Sequence, residues 1–116
     1  MKLTFLEQST FVKVRDRVFV NDNHFREFQG MLLENPEAGD RIAGAGATRK
    51  VRFNDPARSM GSRGGIRVIY AYYPDYSTIL LLFAYTKKIT DISPSQKKGF
   101  ADIARGFVEE LKEETQ

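Results

Sequence analysis

Ile66-Arg67-Val68-Ile69-Tyr70-Ala71-Tyr72-Tyr73, then Pro74-Asp75, then Ile79-Leu80-Leu81-Leu82-Phe83-Ala84-Tyr85, is the stretch that decides the fold. β-Branched and aromatic residues dominate both runs, as they do in strands. Pro74-Asp75 supplies the turn chemistry between them. Leu80 to Phe83 is continuously apolar, the pattern of a central strand covered on both faces. Upstream, Arg49 to Phe53 alternates as a third strand, and Lys2 to Leu6 reads as a short one. The polar segment Asn54 to Arg63 is long for a hairpin loop, which makes it a candidate functional loop.

Three amphipathic segments flank these strands. Ser9 or Thr10 can cap a helix whose apolar positions are Phe11, Val14 and Val18. Asn21 or Asp22 caps a second, with Phe25, Phe28 and Leu32 on one face and Pro36 as its stop. Ser93-Pro94-Ser95-Gln96 places Ser at the N-cap, Pro at N1 and Gln at N3, a capping box. Phe100, Ile103, Ala104, Phe107, Val108 and Leu111 follow at helical spacing. Asn35 to Asp40 is a turn by composition, and Gly44-Ala45-Gly46 continues it. Helices segregated from a strand meander predict an α+β fold: a small, curved, mainly antiparallel sheet, two N-terminal helices and one C-terminal helix, with the helices packed on one face.

The 116 residues predict one domain, 1–116, able to bury a core without staples. With no cysteine there is neither a disulfide nor a thiolate metal site, which fits a cytoplasmic protein. Met1 to Glu7 lacks the apolar core of a signal peptide, and no apolar run approaches the roughly 18 residues that span a bilayer, so no membrane role is expected. Charge is the informative quantity. Between Arg41 and Tyr70 seven Lys/Arg stand against one acid, Asp55, a local +6 in a chain of net charge +3. A sheet face with stacked cations invites a polyanion.

Lys50 and Arg52 are two apart in a strand and share a face, while Arg49, Val51 and Phe53 take the other. Arg67 opens the next strand, and Lys87 and Lys88 lie at the exit of the one after. Three neighbouring strand ends then present cations to one area. A bland alternative is a solvated edge whose cations discourage aggregation. Gly44-x-Gly46 lacks the third glycine of a dinucleotide fingerprint, and no Gly-Lys-Ser/Thr follows, so a turn is expected there. His24, the single histidine, begins an amphipathic helix and is expected at the surface or half-buried, not on a metal. Packing explains most of the five tyrosines; Tyr85, beside the strand exit, is the candidate for stacking on a base.

Asn35-Pro36-Glu37-Ala38-Gly39-Asp40, the Gly44-Ala45-Gly46 turn and Arg49-Lys50-Val51-Arg52 together resemble the central signature of RelE/HigB-type toxins of the RelE/ParE superfamily. Arg63-Gly64-Gly65-Ile66-Arg67-Val68-Ile69-Tyr70 resembles the strand that follows it in that family, and Ala84-Tyr85-Thr86-Lys87-Lys88 its Tyr-x-Lys strand exit. Ala47-Thr48 stands where Gly-Leu is usual, and Thr86 where Gly is usual. The resemblance implies the toxin of a type II toxin–antitoxin pair, a monomer on its own, which enters the A site of the 70S ribosome and cleaves mRNA. It implies no metal or other cofactor, and a cognate antitoxin, of helix-turn-helix type, as partner. By position it assigns catalysis to Lys50, Arg52, Arg67 and Lys87, and RNA binding to Arg49, Arg63, Tyr85 and Lys88. Some relatives carry a catalytic tyrosine after the strand exit; Asp91-Ile92-Ser93-Pro94 has none. Neighbouring cations disfavour the charged form of a lysine, so Lys50 is the candidate base and the arginines are clamps. Two other readings stay open: a ParE-like toxin that poisons DNA gyrase, and a non-catalytic module that holds RNA or an acidic protein.

Overall fold

The computed structural model describes residues 2–54, 65–86 and 92–115. Its centre is the pair predicted first. β4 (Ile66–Tyr73) and β5 (Thr78–Thr86) run antiparallel, joined by one 3-10 turn at Pro74–Tyr76. Ser77 closes that turn at φ 47°, a left-handed residue. β3 (Thr48–Phe53) pairs antiparallel with the other side of β4, and β1 (Thr4–Glu7) pairs parallel with β5. A two-residue strand, β2 (Asp40–Arg41), closes the other edge. The order is β1-β5-β4-β3-β2. β2 was expected only as turn; two residues carry no periodicity to read.

The helices are α1 (Ser9–Val18), α2 (Asp22–Glu34) and α3 (Pro94–Glu114). Asn21 caps α2 by accepting the His24 N–H at 2.9 Å, and the Ser93–Gln96 capping box of α3 forms in both directions. α1 departs from expectation: Gln8 is its N-cap and makes no side-chain cap bond. The Thr10 hydroxyl instead donates to the Leu82 carbonyl in β5.

The sheet is covered on both faces, which corrects the one-face expectation. Along β4, Ile66, Val68 and Tyr70 join Phe11, Phe25, Phe28 and Leu32 of α1 and α2 in one buried cluster. Ile69, Ala71 and Tyr73 alternate to the opposite face and join Phe100, Ala104 and Leu111 of α3 in another. Chain order segregates the helices, but the apolar run of β4 and β5 has two faces to bury, and α3 takes the second.

β5 carries an irregularity that serves this division. Ile69 pairs with Phe83 and Tyr70 with Leu81, leaving Leu82 as the extra residue of a bulge. Leu82 and Phe83 therefore both lie on the α3 side, with Tyr85. The bulge takes the Leu82 carbonyl out of the regular ladder, and Thr10 supplies its donor.

Candidate nucleic-acid interface

Register decides which cations meet. On β3, Val51 and Phe53 pack toward α1 and α2, so Lys50 and Arg52 face the α3 side. Arg52 lies directly opposite Arg67 on β4, and Arg67 lies opposite Tyr85 on β5. Lys50 lies opposite Ile69, diagonal to Arg67 at roughly 7–8 Å between backbones by strand geometry. Three cations thus cluster on one face near the β3–β4 end. The positions called Lys50, Arg52 and Arg67 from sequence come together.

Like charges directly opposite on a sheet are destabilising. Arg52 is exposed, and its side chain makes no hydrogen bond or ion pair with the described residues. The Arg67 guanidinium donates to the Gly65 carbonyl at 3.1 Å. Asp40 on β2, opposite Lys50, is the acid that the register sets on this side of the cluster.

The other residues predicted for the site fall elsewhere. Lys87, Lys88 and Arg63 lie outside the described residues, as does nearly all of the Asn54–Arg63 loop. Arg49 faces away from Lys50, opposite Tyr70, on the α1–α2 side. Its guanidinium donates to the Gly39 carbonyl at 2.7 Å and pairs with Glu37 at 3.5 Å, with 16% of the side chain exposed. Arg49 is a structural tie, not a free RNA contact, because strand alternation sends it to the opposite face.

Tyr85 is likewise not open for base stacking: it is 4% exposed. Its ring stacks on Phe83 at 6.0 Å, and Phe83 stacks on Phe100 of α3 at 5.6 Å. Two apart in β5, Phe83 and Tyr85 share a face; after the bulge that face is the α3 side, where the pair helps to seat α3. His24 also differs from expectation, being buried at 5%. Its Nδ1 accepts from the Val20 N–H at 3.1 Å, and its Nε2 donates to the Asn54 carbonyl at 2.9 Å. It ties α2 to the end of β3 and stacks on Phe53. Among the described residues no group of His, Asp and Glu could hold a metal ion.

The turn at Asn35–Asp40 positions β3 from behind. The Tyr70 hydroxyl accepts from the Gly39 N–H at 2.9 Å and donates to the Pro36 carbonyl at 2.7 Å. Gly39 sits so close that a Cβ would lie 2.9 Å from the Lys50 carbonyl and from the Tyr70 ring. Burial pushes the Tyr70 phenol above its ordinary pKa, opposed by the Gly39 hydrogen bond and the Arg49 charge. The Asn-Pro…Gly-Asp motif and the tyrosine of the following strand are therefore two halves of one clamp. Gly44 and Gly46, at φ 75° and 62°, form the expected turn, with Ala45 buried between them.

The architecture matches that of a solved protein. The crystal structure of the isolated E. coli RelE toxin superposes with a TM-score of 0.52, covering 88% of this chain and 99% of that one, at 15% identity. The fold is RelE-like. No family model matches the sequence, and identity at this level speaks to the fold alone.

Two neighbours of Lys50 carry no signal of their own in the sequence. Asp40 and Lys97 line a cleft of about 190 Å³ with Arg41, Ile42, Lys50 and Ile92, where β2 and β3 meet the start of α3. Lys97 lies in the first turn of an amphipathic helix, where a lysine reads as solvated surface. No local signal distinguishes it.

Proposed function

We propose that this protein is a ribosome-dependent mRNA endoribonuclease, the toxin of a toxin–antitoxin pair acting in the cytoplasm. The observation that carries the reading is the Arg52–Arg67 pair, opposed across two strands with Lys50 diagonal to it. Such a cluster raises a local positive potential that attracts an anion. A scissile phosphate is that anion in this reading: the likeness to a RelE toxin supports a toxin, and RNA on the ribosome as substrate is what the sequence resemblance implies.

In this mechanism Arg52 and Arg67 grip the phosphate oxygens and stabilise the extra charge of the phosphorane. Lys50 is the base in this reading and takes the proton of the ribose 2′-OH while that oxygen attacks phosphorus. The bond from phosphorus to the 5′ oxygen breaks, and that oxygen takes a proton from solvent water as it leaves. The products are a 2′,3′-cyclic phosphate and a 5′-OH. Lys87 and Lys88, next along the chain after β5, are further donors in this proposal, and Arg63 contacts RNA. Weak acid–base equipment makes substrate alignment by the ribosome decisive. An antitoxin in this reading covers the basic face or blocks ribosome entry.

The test is induction in cells followed by mapping of mRNA 5′ ends. In-frame cuts confined to translated regions are expected, with arrested growth. Arg67→Ala should abolish both while the purified variant keeps its circular dichroism and melting behaviour. Full toxicity in both Arg67→Ala and Lys50→Ala would place the chemistry elsewhere, and a DNA-damage response with intact mRNA would favour gyrase poisoning.

A further inference from the structure

The Arg52–Arg67 pair stands one rung from the end of the β3–β4 ladder, whose last pair is Phe53 with Ile66. Strand ends fray readily, and here fraying would also relieve the repulsion between the two guanidinium groups. α2 holds that end in place. His24 donates from Nε2 at 2.9 Å to the carbonyl of Asn54, the first residue past β3. Its ring stacks on Phe53 with centroids 5.5 Å apart, and Phe28 meets the Phe53 ring edge-on at 5.4 Å. The other nitrogen, Nδ1, accepts from the Val20 N–H at 3.1 Å. Both partners are backbone groups with fixed roles, since an N–H can only donate and a carbonyl can only accept. The neutral tautomer with its proton on Nε2 is the form that satisfies both. The backbone of His24 is fixed as well, because its N–H donates to the Asn21 cap. The ring is thus anchored in α2 and grips β3 from there. It packs against Phe53 on the α1–α2 face, while Arg52 faces the α3 side, so it acts on the cluster only through the strand.

We propose that His24 is a positioning residue: through its bond to Asn54 it fixes the end of β3 and keeps Arg52 beside Arg67, so that both guanidinium groups converge on one phosphate. Without that bond Arg52 moves with the frayed strand end and the convergence is lost. The proposal rests on the endoribonuclease reading for calling that anion a scissile phosphate; the convergence itself is a matter of the fold. A displaced clamp weakens contacts made to the phosphorane more than those made on entering the ribosome, so the loss falls on kcat.

The test compares wild type, His24→Asn and His24→Gln on mRNA-programmed 70S ribosomes. Gln carries an amide N–H as many bonds from Cβ as Nε2 and can reach the Asn54 carbonyl. Asn offers an acceptor at the Nδ1 position, keeps the Val20 contact and stops short of β3. His24→Asn should lower kcat on the order of a hundredfold, the cost of a displacement of about 1 Å, with KM unchanged. His24→Gln should recover most of that loss. A wild-type kcat in His24→Asn overturns the proposal, as does an effect on KM alone. A kcat as low in His24→Gln as in His24→Asn also overturns it, because the bond to Asn54 would then not be the contact that matters. A wild type that leaves mRNA intact removes the endoribonuclease reading alone, and the clamp is then judged with inorganic phosphate. A phosphate-induced rise in melting midpoint in wild type and His24→Gln, absent in His24→Asn, upholds it. No rise, or an equal rise in all three, overturns it.

Discussion

Arg52 and Arg67 show how a single register position separates function from stability. Two guanidinium groups set opposite each other repel, at about 0.2–1 kcal/mol for a directly opposed like-charge pair. Arg52→Ala should therefore leave the denaturation midpoint unchanged or slightly raised, while growth arrest on induction is lost. A variant that loses activity only in step with a fallen midpoint would make Arg52 a structural residue. Tyr70 shows the opposite case. Tyr70→Phe leaves the Gly39 N–H and the Pro36 carbonyl without their buried partner, and each such group costs about 1–3 kcal/mol. Gly39→Ala pushes a methyl into the Lys50 backbone and the Tyr70 ring, at about 1–3 kcal/mol for overpacking. Urea unfolding should find both variants destabilised. A Tyr70→Phe protein as stable as wild type would mean that the turn finds other donors and acceptors.

Among the elements, α3 is the one whose start was most legible. Its Ser-Pro-x-Gln signature forms the capping box, with the Gln96 N–H donating to Ser93 at 3.1 Å and the Ser93 N–H to Gln96 at 2.9 Å. Ser93→Ala should cost about 1 kcal/mol, readable as a lowered midpoint. Recovery by Ser93→Asp would confirm that the cap, not packing, was lost. The docking of α3 was not legible. Phe100 seats on Phe83, and Tyr73 donates its hydroxyl to the Ala104 carbonyl at 2.8 Å. Both contacts depend on the sheet having a second face to cover. β2 was illegible for a different reason: Asp40 and Arg41 are a strand only because Lys50 and Arg49 lie beside them.

For the molecule as a whole, the two buried tyrosines set an alkaline limit. Burial raises the pKa of both Tyr70 and Tyr73 above the ordinary 10.0. A group whose folded pKa is raised binds its proton more tightly in the folded state. Its contribution is fully present below the unfolded pKa and is lost as pH rises above it. Stability should therefore hold up to about pH 10 and fall beyond it, measured as urea midpoints between pH 8 and 11.5. Tyr73→Phe should flatten that fall; an equally steep fall in the variant would assign it to other groups. Of the fold, the strands β3, β4 and β5, the three helices and the α+β class were readable from alternation, helical spacing and caps, because those are local consequences of backbone geometry. Of the site, the shared face of Lys50 and Arg52 was readable for the same reason, and so was the separation of Arg49 from it. The meeting of Arg52 with Arg67 required the pairing register of two strands separated by a loop. The burial of Tyr85 and His24, the bulge at Leu82, and the placing of Asp40 and Lys97 beside Lys50 were decided by tertiary structure alone. Each depends on which segments distant in sequence pack together, and hydrophobic burial, which drives that packing, has no direction along the chain.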